Sequence, residues 1–199
     1  MKSETPAVIL SRDLHGESFL KLNLYTTEHG LLTALIRRSS RKSTGNPDLF
    51  QTGNAIIERK NPEQIAFLNG FEPTVIRTRI ASGLTRFETA CRFSQILIMN
   101  TRHMEITRDL FDLINRCFDG WEKDGDPTVI LLKSLYLLAS SEGFPVRQEW
   151  FDSLSASMRQ TAGVAIFSPL SGTDKDSGIR DILQSLEHWL VHSAGFTLP

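Results

Sequence analysis

The spacing of apolar residues in this 199-residue chain changes near residue 80, and this change limits the folds open to it. Before residue 80, short apolar runs alternate with polar residues, as in residues 19–26, where every second position from Leu20 to Leu24 is a leucine. After residue 80, apolar residues recur at helical spacing, as in residues 84–99. A period of two indicates strands and a period near 3.6 indicates helices. The sequence therefore predicts an α+β fold in which strands precede helices.

Five short strands are predicted in the first part of the chain. They are residues 7–10, 19–26, 31–36, 55–58 and 64–68. Gly30 provides the tight turn after the second strand, because glycine adopts positive φ without steric strain, and Asn61-Pro62 is a predicted hairpin loop. Five strands in so few residues fit an N-terminal five-stranded OB-type β-barrel. We assign residues 1–80 to this OB-fold domain.

The rest of the chain, residues 81–199, is predicted to form an all-α helical domain. Its predicted helices are residues 84–99, 106–121, 127–139, 150–158 and 179–191. Asp126 followed by Pro127 is a start signal, with aspartate as N-cap and proline at the first helical position. Gly143 is a stop signal. Residues 168–178 are rich in Ser, Gly and Asp and predict an exposed loop.

Composition excludes several classes of protein. Two cysteines are too few for a disulfide scaffold or a four-cysteine zinc site. The apolar run at residues 7–10 is too short for a signal-peptide core, and no run approaches the roughly 20 apolar residues that span a bilayer. We therefore expect a soluble, cytoplasmic protein with no membrane partner.

Charge is unevenly distributed along the chain, although the net charge is only -1. Residues 1–80 hold 11 Lys and Arg against 8 Asp and Glu, whereas residues 81–199 hold 11 against 15. A basic first part suggests an anionic partner for the barrel.

No motif indicates an enzyme, a cofactor or a metal site. The chain contains no G-x-S-x-G, no Walker-type loop and no dinucleotide fingerprint. His188 and His192 have the spacing of a two-histidine metal pair, but no further ligand stands near them, so solvated histidines are expected. Cys91 and Cys117 fall on apolar helical faces and are predicted to be core residues.

A basic cluster follows the third predicted strand and is the main candidate binding site. Its four cations within six residues are Arg37, Arg38, Arg41 and Lys42. Serine and threonine hydroxyls stand between and after them, and together these groups suit phosphate oxygens. Arg59 and Lys60, after the fourth strand, extend the patch. The alternative is a solvated loop that keeps the barrel soluble.

Aromatic residues add a second candidate feature. Tyr25 lies on the polar side of its predicted strand, where a base-stacking side chain would stand. The alternative is a half-buried barrel tyrosine. Phe67 and Phe71 are predicted to pack in the core or between domains.

An ordered series of short motifs runs through most of the chain. In the first part it comprises Ala7-Val8-Ile9-Leu10 with Gly16-Glu17, Leu22-Asn23-Leu24-Tyr25-Thr26, His29-Gly30-Leu31, Arg37-Arg38-Ser39-Ser40-Arg41-Lys42 and Leu49-Phe50-Gln51. In the second part it comprises Leu110-Phe111-Asp112-Leu113, Asp126-Pro127 and Glu142-Gly143-Phe144-Pro145. In order and spacing, these motifs resemble the DNA repair protein RecO family.

The resemblance implies an OB-fold joined to a helical domain in a non-enzymatic recombination mediator. Such proteins bind single- and double-stranded DNA, anneal complementary strands and assist recombinase loading, without a nucleotide cofactor. Their partners are RecR and the acidic C-terminal tail of the single-strand DNA-binding protein, and they associate with the nucleoid. On this hypothesis the cations of the basic cluster neutralise phosphates, Arg59 and Lys60 are secondary contacts, and Tyr25 is a candidate stacking residue.

The chain departs from the family in two places. Many members carry a four-cysteine zinc module, but residues 147–178 contain no cysteine, so zinc is not expected. A glycine usual among the family's cations is missing from Arg37-Arg38-Ser39. Two other function classes stay open: a protein-interaction adaptor whose barrel binds no nucleic acid, and a hydrolase or transferase with an unrecognised site.

Overall fold

The computed structural model describes residues 2–38, 46–59, 65–170 and 178–199, except for the side chain of His103. The chain forms two compact units. The first comprises Met1–Arg77 with Thr101–Phe111, and the second comprises Thr78–Asn100 with Asp112–Pro199. We describe each unit by itself.

The first unit is a closed five-stranded β-barrel. Its strands are β1 (Lys2–His15), β2 (Phe19–Thr26), β3 (Gly30–Arg37), β4 (Thr52–Glu58) and β5 (Ala66–Val75). The strand order β1-β2-β3-β5-β4 closes on β1. All pairs are antiparallel except β3 with β5, which is parallel. This confirms the predicted OB-type barrel followed by helices.

Alternation along the strands fills the barrel with apolar side chains. The cluster contains Ala7, Ile9, Leu20, Leu22, Leu24, Leu32, Ala34, Ala55, Ile57, Ala66 and Leu68. Because successive strand residues point to opposite faces, their neighbours point outward. β1 is much longer than predicted, since its first half pairs with β4 and its second half pairs with β2.

The contact between β3 and β5 is short. Within the described residues, Ala34 pairs with Ala66 and Leu35 pairs with Phe67 across it. Beyond Phe67, β5 continues along β4 as far as Val75, with irregular register at two points. Just past Leu35, therefore, β3 and β5 are no longer paired, and a gap separates the two strands.

Part of the segment that follows the first long helix belongs to the barrel unit. Gly30, in the turn before β3, has φ of +60°, as predicted for a tight turn. A Cβ at this position would lie 2.9 Å from Cγ1 of Ile106. Glycine is required here both for its backbone conformation and for this close approach.

The second unit is helical. The helices of the chain are α1 (Leu84–Asn100), α2 (Arg108–Glu122), α3 (Pro127–Ser141), α4 (Ala156–Phe167) and α5 (Ile179–His192). Short 3₁₀ turns occur at Arg79–Ser82 and Thr101–His103, and a π-helical turn occurs at Arg147–Phe151. The buried helix α3 packs against α1, α4 and α5. No helix within the described ranges combines the length and apolar character needed to cross a membrane.

Capping explains where two helices begin. Oδ1 of Asp126 accepts hydrogen bonds from the backbone N–H of Thr128 at 2.8 Å and of Val129 at 3.4 Å, which confirms the predicted start of α3. The predicted helix at 150–158 is wrong, because Oγ of Ser155 accepts from the N–H of Met158 and starts α4 there. The hairpin predicted at Asn61-Pro62 and most of the loop predicted at 168–178 lie outside the described residues.

Candidate nucleic-acid interface

On the outer face of the barrel, strands β2, β3 and β5 bring aromatic and basic side chains together. Phe19 of β2 pairs with Arg37 of β3, and Lys21 pairs with Leu35. Leu35 in turn pairs with Phe67 of β5. These five residues alternate with interior positions of their strands, so they face outward. They form a continuous surface across β2, β3 and β5.

A groove of about 730 Å³ lies on this surface, where β3 and β5 separate; we refer to it as the β3–β5 groove. Its lining includes Phe19, Leu35, Arg37, Asn46, Phe67, Asn69, Phe71 and Glu72. OB-folds bind oligonucleotides on the face of strands 2 and 3. The groove is in that position, with β5 as its far wall.

Two phenylalanines form the apolar floor of the groove. The ring of Phe67 is 47% exposed and meets Phe19 edge to face, with centroids 6.4 Å apart and planes at 69°. The prediction that Phe67 packs in the core or between domains is wrong for its exposed ring, because Ala66 and Leu68 take the interior positions of β5. Phe71 does pack against the barrel core.

The two walls of the groove carry opposite charge. Arg37 stands on the β3 side, whereas Glu72 stands on the β5 side. Also on β5, Nδ2 of Asn69 donates to Oε2 of Glu58 at 2.7 Å. Glu58 is the register partner of Phe67, so this hydrogen bond lies beside the exposed ring. The groove therefore has a basic wall, an aromatic floor and an acceptor-rich wall.

The predicted cations occupy different surroundings. Arg37 lines the groove, but the backbone N–H of Arg38 donates to the carbonyl of Ser18 at 2.8 Å and its Nη1 donates to the carbonyl of Glu17 at 3.3 Å. Arg38 is thus tied to the turn between β1 and β2 and has an exposed side chain. Arg59 follows the last residue of β4, next to the Phe67 pairing. Arg41, Lys42 and Lys60 lie outside the described residues.

Tyr25 is a correction to the predicted site. Its side chain is only 1% exposed, so in this structure it offers no ring face to a base. The outward-facing side of β2 is covered at this end, since Val8, the register partner of Tyr25 on β1, is also fully buried. The alternation of residues along β2 predicts that the Tyr25 side chain points out of the barrel, but it does not predict that other residues bury this side chain.

A second groove, of about 200 Å³, lies in the helical unit between α2 and α3; we refer to it as the α2–α3 groove. Its apolar lining includes Leu113, Ile130, Leu137 and Leu170, and it also contains Arg116 and Lys133. Nζ of Lys133 donates to the carbonyl of Ser168 at 2.9 Å, and burial lowers the pKa of this lysine. An apolar groove with two cations suits an acidic peptide that carries an apolar side chain.

The cysteines and the histidine pair all lie on helices. Cys117 is buried, as predicted, and burial raises the pKa of its thiol to about 11. Cys91 is half-buried, and burial raises its pKa too. The rings of His188 and His192 lie 4.2 Å apart. Within the described part of the chain, no three His, Cys, Asp or Glu residues are placed to hold a metal ion together.

No model of a protein family matches the chain, and no curated protein matches its sequence.

Several residues of the interface could not be selected from the sequence. Phe19, Lys21, Phe67 and Asn69 are ordinary strand residues until the pairing of β3 with β5 sets them side by side. Alternation alone could have indicated that Phe67 faces outward, because it stands between Ala66 and Leu68. The parallel pairing that brings it to Leu35 has no local sequence signal.

Proposed function

We propose that this protein is a non-enzymatic DNA repair and recombination mediator of the RecO type, and that its barrel binds DNA in the β3–β5 groove. The observation that carries the proposal is the exposed ring of Phe67, set edge to face against Phe19 and beside Arg37. Proteins that bind single strands combine stacking rings with cations that follow the backbone. The groove offers both within one unit.

The chemistry favours single strands in the groove. An unpaired base can place its face on Phe67, and a phosphate can then reach the guanidinium of Arg37. Bases in a duplex are already stacked on one another, so double-stranded DNA would bind through its phosphates alone. For that contact the sequence offers Arg37, Arg38, Arg41, Lys42, Arg59 and Lys60.

Annealing follows from the same charges. Two complementary strands repel each other through their phosphates, and a protein that neutralises some of these charges lowers the repulsion. No covalent step is required, so annealing of this kind needs no catalytic residue. Assistance in recombinase loading and contact with RecR belong to the proposal through the family resemblance.

The α2–α3 groove supports the partner part of the proposal. Arg116 and Lys133 stand beside an apolar surface that includes Leu137. The acidic C-terminal tail of a single-strand DNA-binding protein has the matching charge. The same groove favours the alternative function, a protein-interaction adaptor that binds acidic peptides without binding DNA.

Fluorescence anisotropy with a labelled single strand of about 15 nucleotides, near the upper site size of one OB-fold, tests the proposal. Phe67→Ala should weaken binding by about 1–3 kcal/mol, the effect of losing one stacked base. Phe167→Ala is the matched control, since Phe167 is 56% exposed but lies on α4. If the wild-type protein does not bind the strand, or if Phe67→Ala binds as tightly as wild type, the groove is not the DNA site.

A further inference from the structure

We propose that the β3–β5 groove selects among bases and prefers single strands whose bases carry an exocyclic amino group, cytosine over thymine in particular. This inference rests on the proposed function and adds a base preference to it. It comes from the arrangement of hydrogen-bonding groups around Phe67.

The basic wall determines the side of the groove on which the phosphates of a bound DNA strand lie. Arg37 is on the β3 side, next to Phe19, and Lys21 is one pair further along β2. Phosphates will lie on this side because the other wall carries Glu72, which repels them. The bases are therefore directed across Phe67 towards β5.

Hydrogen-bond acceptors for those bases stand on β5 and on the neighbouring strand β4, where Glu58 pairs with Phe67 just outside the groove lining. The Glu58 carboxylate beside Phe67 can only accept, and one of its oxygens already holds the amide nitrogen of Asn69. That contact uses one amide hydrogen, so Asn69 retains its carbonyl oxygen and one N–H. Glu72 adds a second carboxylate five residues further along β5, about 16 Å away in an extended strand, where a base further along the bound strand, not the adjacent one, would lie.

Acceptors on the wall distinguish cytosine from thymine. Cytosine carries a donor at N4, and glutamate is a known acceptor for it, whereas thymine carries the acceptor O4 at the same position. A carboxylate facing O4 places two acceptors together and leaves both without a hydrogen bond. Both bases are pyrimidines that can stack on Phe67, so stacking alone does not separate them.

The test compares the dissociation constants of oligo-dC and oligo-dT of equal length, at mildly alkaline pH so that oligo-dC stays unstructured. Oligo-dC should bind about tenfold more tightly, the effect of one hydrogen bond to a charged acceptor. In the double variant Glu58→Gln/Glu72→Gln, the ratio of the two constants should fall to near one, because a glutamine amide can also donate to O4. Removing two negative charges changes phosphate attraction equally for both strands, so the ratio isolates base contact.

The matched control is Glu4→Gln/Glu28→Gln, which removes two exposed barrel glutamates that neither line the groove nor pair with Phe67 and should leave the ratio unchanged. Equal affinity of the wild-type protein for the two strands overturns the inference, as does a ratio that the Glu58→Gln/Glu72→Gln variant retains. If both strands bind equally but Phe67→Ala weakens both, the proposed function stands without base selection. If neither strand binds, the proposed function fails together with the inference.

Discussion

The main chain of Gly53 on β4 lies directly against the backbone carbonyl of Glu72 on β5, so closely that a Cβ at Gly53 would overlap the carbonyl oxygen. The register of the two strands shifts at this point, between Thr52 and Gly53. A bulge of this kind redirects the strand and re-aims its side chains. The contact therefore sets where Glu72 stands on the wall of the β3–β5 groove.

We expect Gly53→Ala to destabilise the protein by about 2–3 kcal/mol, because the added methyl group meets main chain that cannot move aside as a side chain would. Gly16→Ala is the control. Gly16 has φ of +63° but open space around it, so this substitution should lower stability only by the backbone strain that it introduces, about 1–2 kcal/mol. Urea unfolding measures both values. Equal stability of Gly53→Ala and wild type would contradict the close approach.

Arg37→Glu should weaken single-strand binding and flatten its salt dependence. Each phosphate contact on a single strand contributes about 0.7 to the log–log salt slope, so loss of one contact should reduce the slope by about that amount. Arg180→Glu makes the same charge change at an exposed position on α5 and should leave the slope unchanged. If the two variants gave identical slopes, Arg37 would not be a phosphate contact.

Arg116→Glu should weaken binding of an acidic peptide that carries one large apolar side chain. The peptide loses an attractive charge beside the α2–α3 groove and gains a repulsive one, so a decrease of roughly tenfold is expected for a partly exposed pair. Calorimetry with the synthetic peptide provides the measurement, with Arg180→Glu again as the control. Unchanged affinity would place peptide binding elsewhere.

Asp126→Ala should lower the free energy of unfolding by about 1 kcal/mol, because it removes the acceptor for two backbone N–H groups at the start of α3. Asp126→Asn keeps a side-chain oxygen and should lose much less. The comparison uses thermal or urea unfolding. A stable Asp126→Ala protein would show that tertiary packing of the buried helix α3 is sufficient to define its first turn.

The buried thiol of Cys117 should make stability depend on alkaline pH. Burial raises its pKa from about 9 to about 11, so between these values the unfolded thiol loses its proton while the native thiol keeps it. The unfolded state then binds fewer protons, and the contribution of this group, fully present below pH 9, is lost as pH rises to about 11. Its size is on the order of 2 kcal/mol. Unfolding curves for Cys117→Ala should fall less steeply over this range than those of the wild type, and parallel curves would contradict the assignment.

The sequence predicted the elements that carry local signals. Leucine alternation located β2, the pair Asp126-Pro127 located α3, and Gly30 located the turn before β3. Each of these signals depends on residues a few positions apart. For the same reason, the number of strands and the barrel class could be predicted from the sequence.

What the sequence did not predict depends on residues far apart in the chain. The exposed position of Phe67 in a groove follows from a parallel pairing with β3, about 30 residues earlier. Tyr25 is buried because other residues pack over the outer face of β2. Alternation could not predict this, since it describes only the residues of the strand itself. The basic cluster was visible because its cations are adjacent, whereas the groove combines residues from three strands.

The double pairing of β1 has a consequence during translation. Its second half can pair with β2 as soon as that strand leaves the ribosome, but its first half pairs with β4, whose residues follow some 50 positions later. At about 5–20 residues per second, the first half of β1 remains an open edge for several seconds. That half carries Lys2, Glu4 and Pro6, and charged residues and proline on a strand edge hinder pairing with other chains. This segment thus has the composition that disfavours edge-to-edge aggregation during the interval before β4 is available.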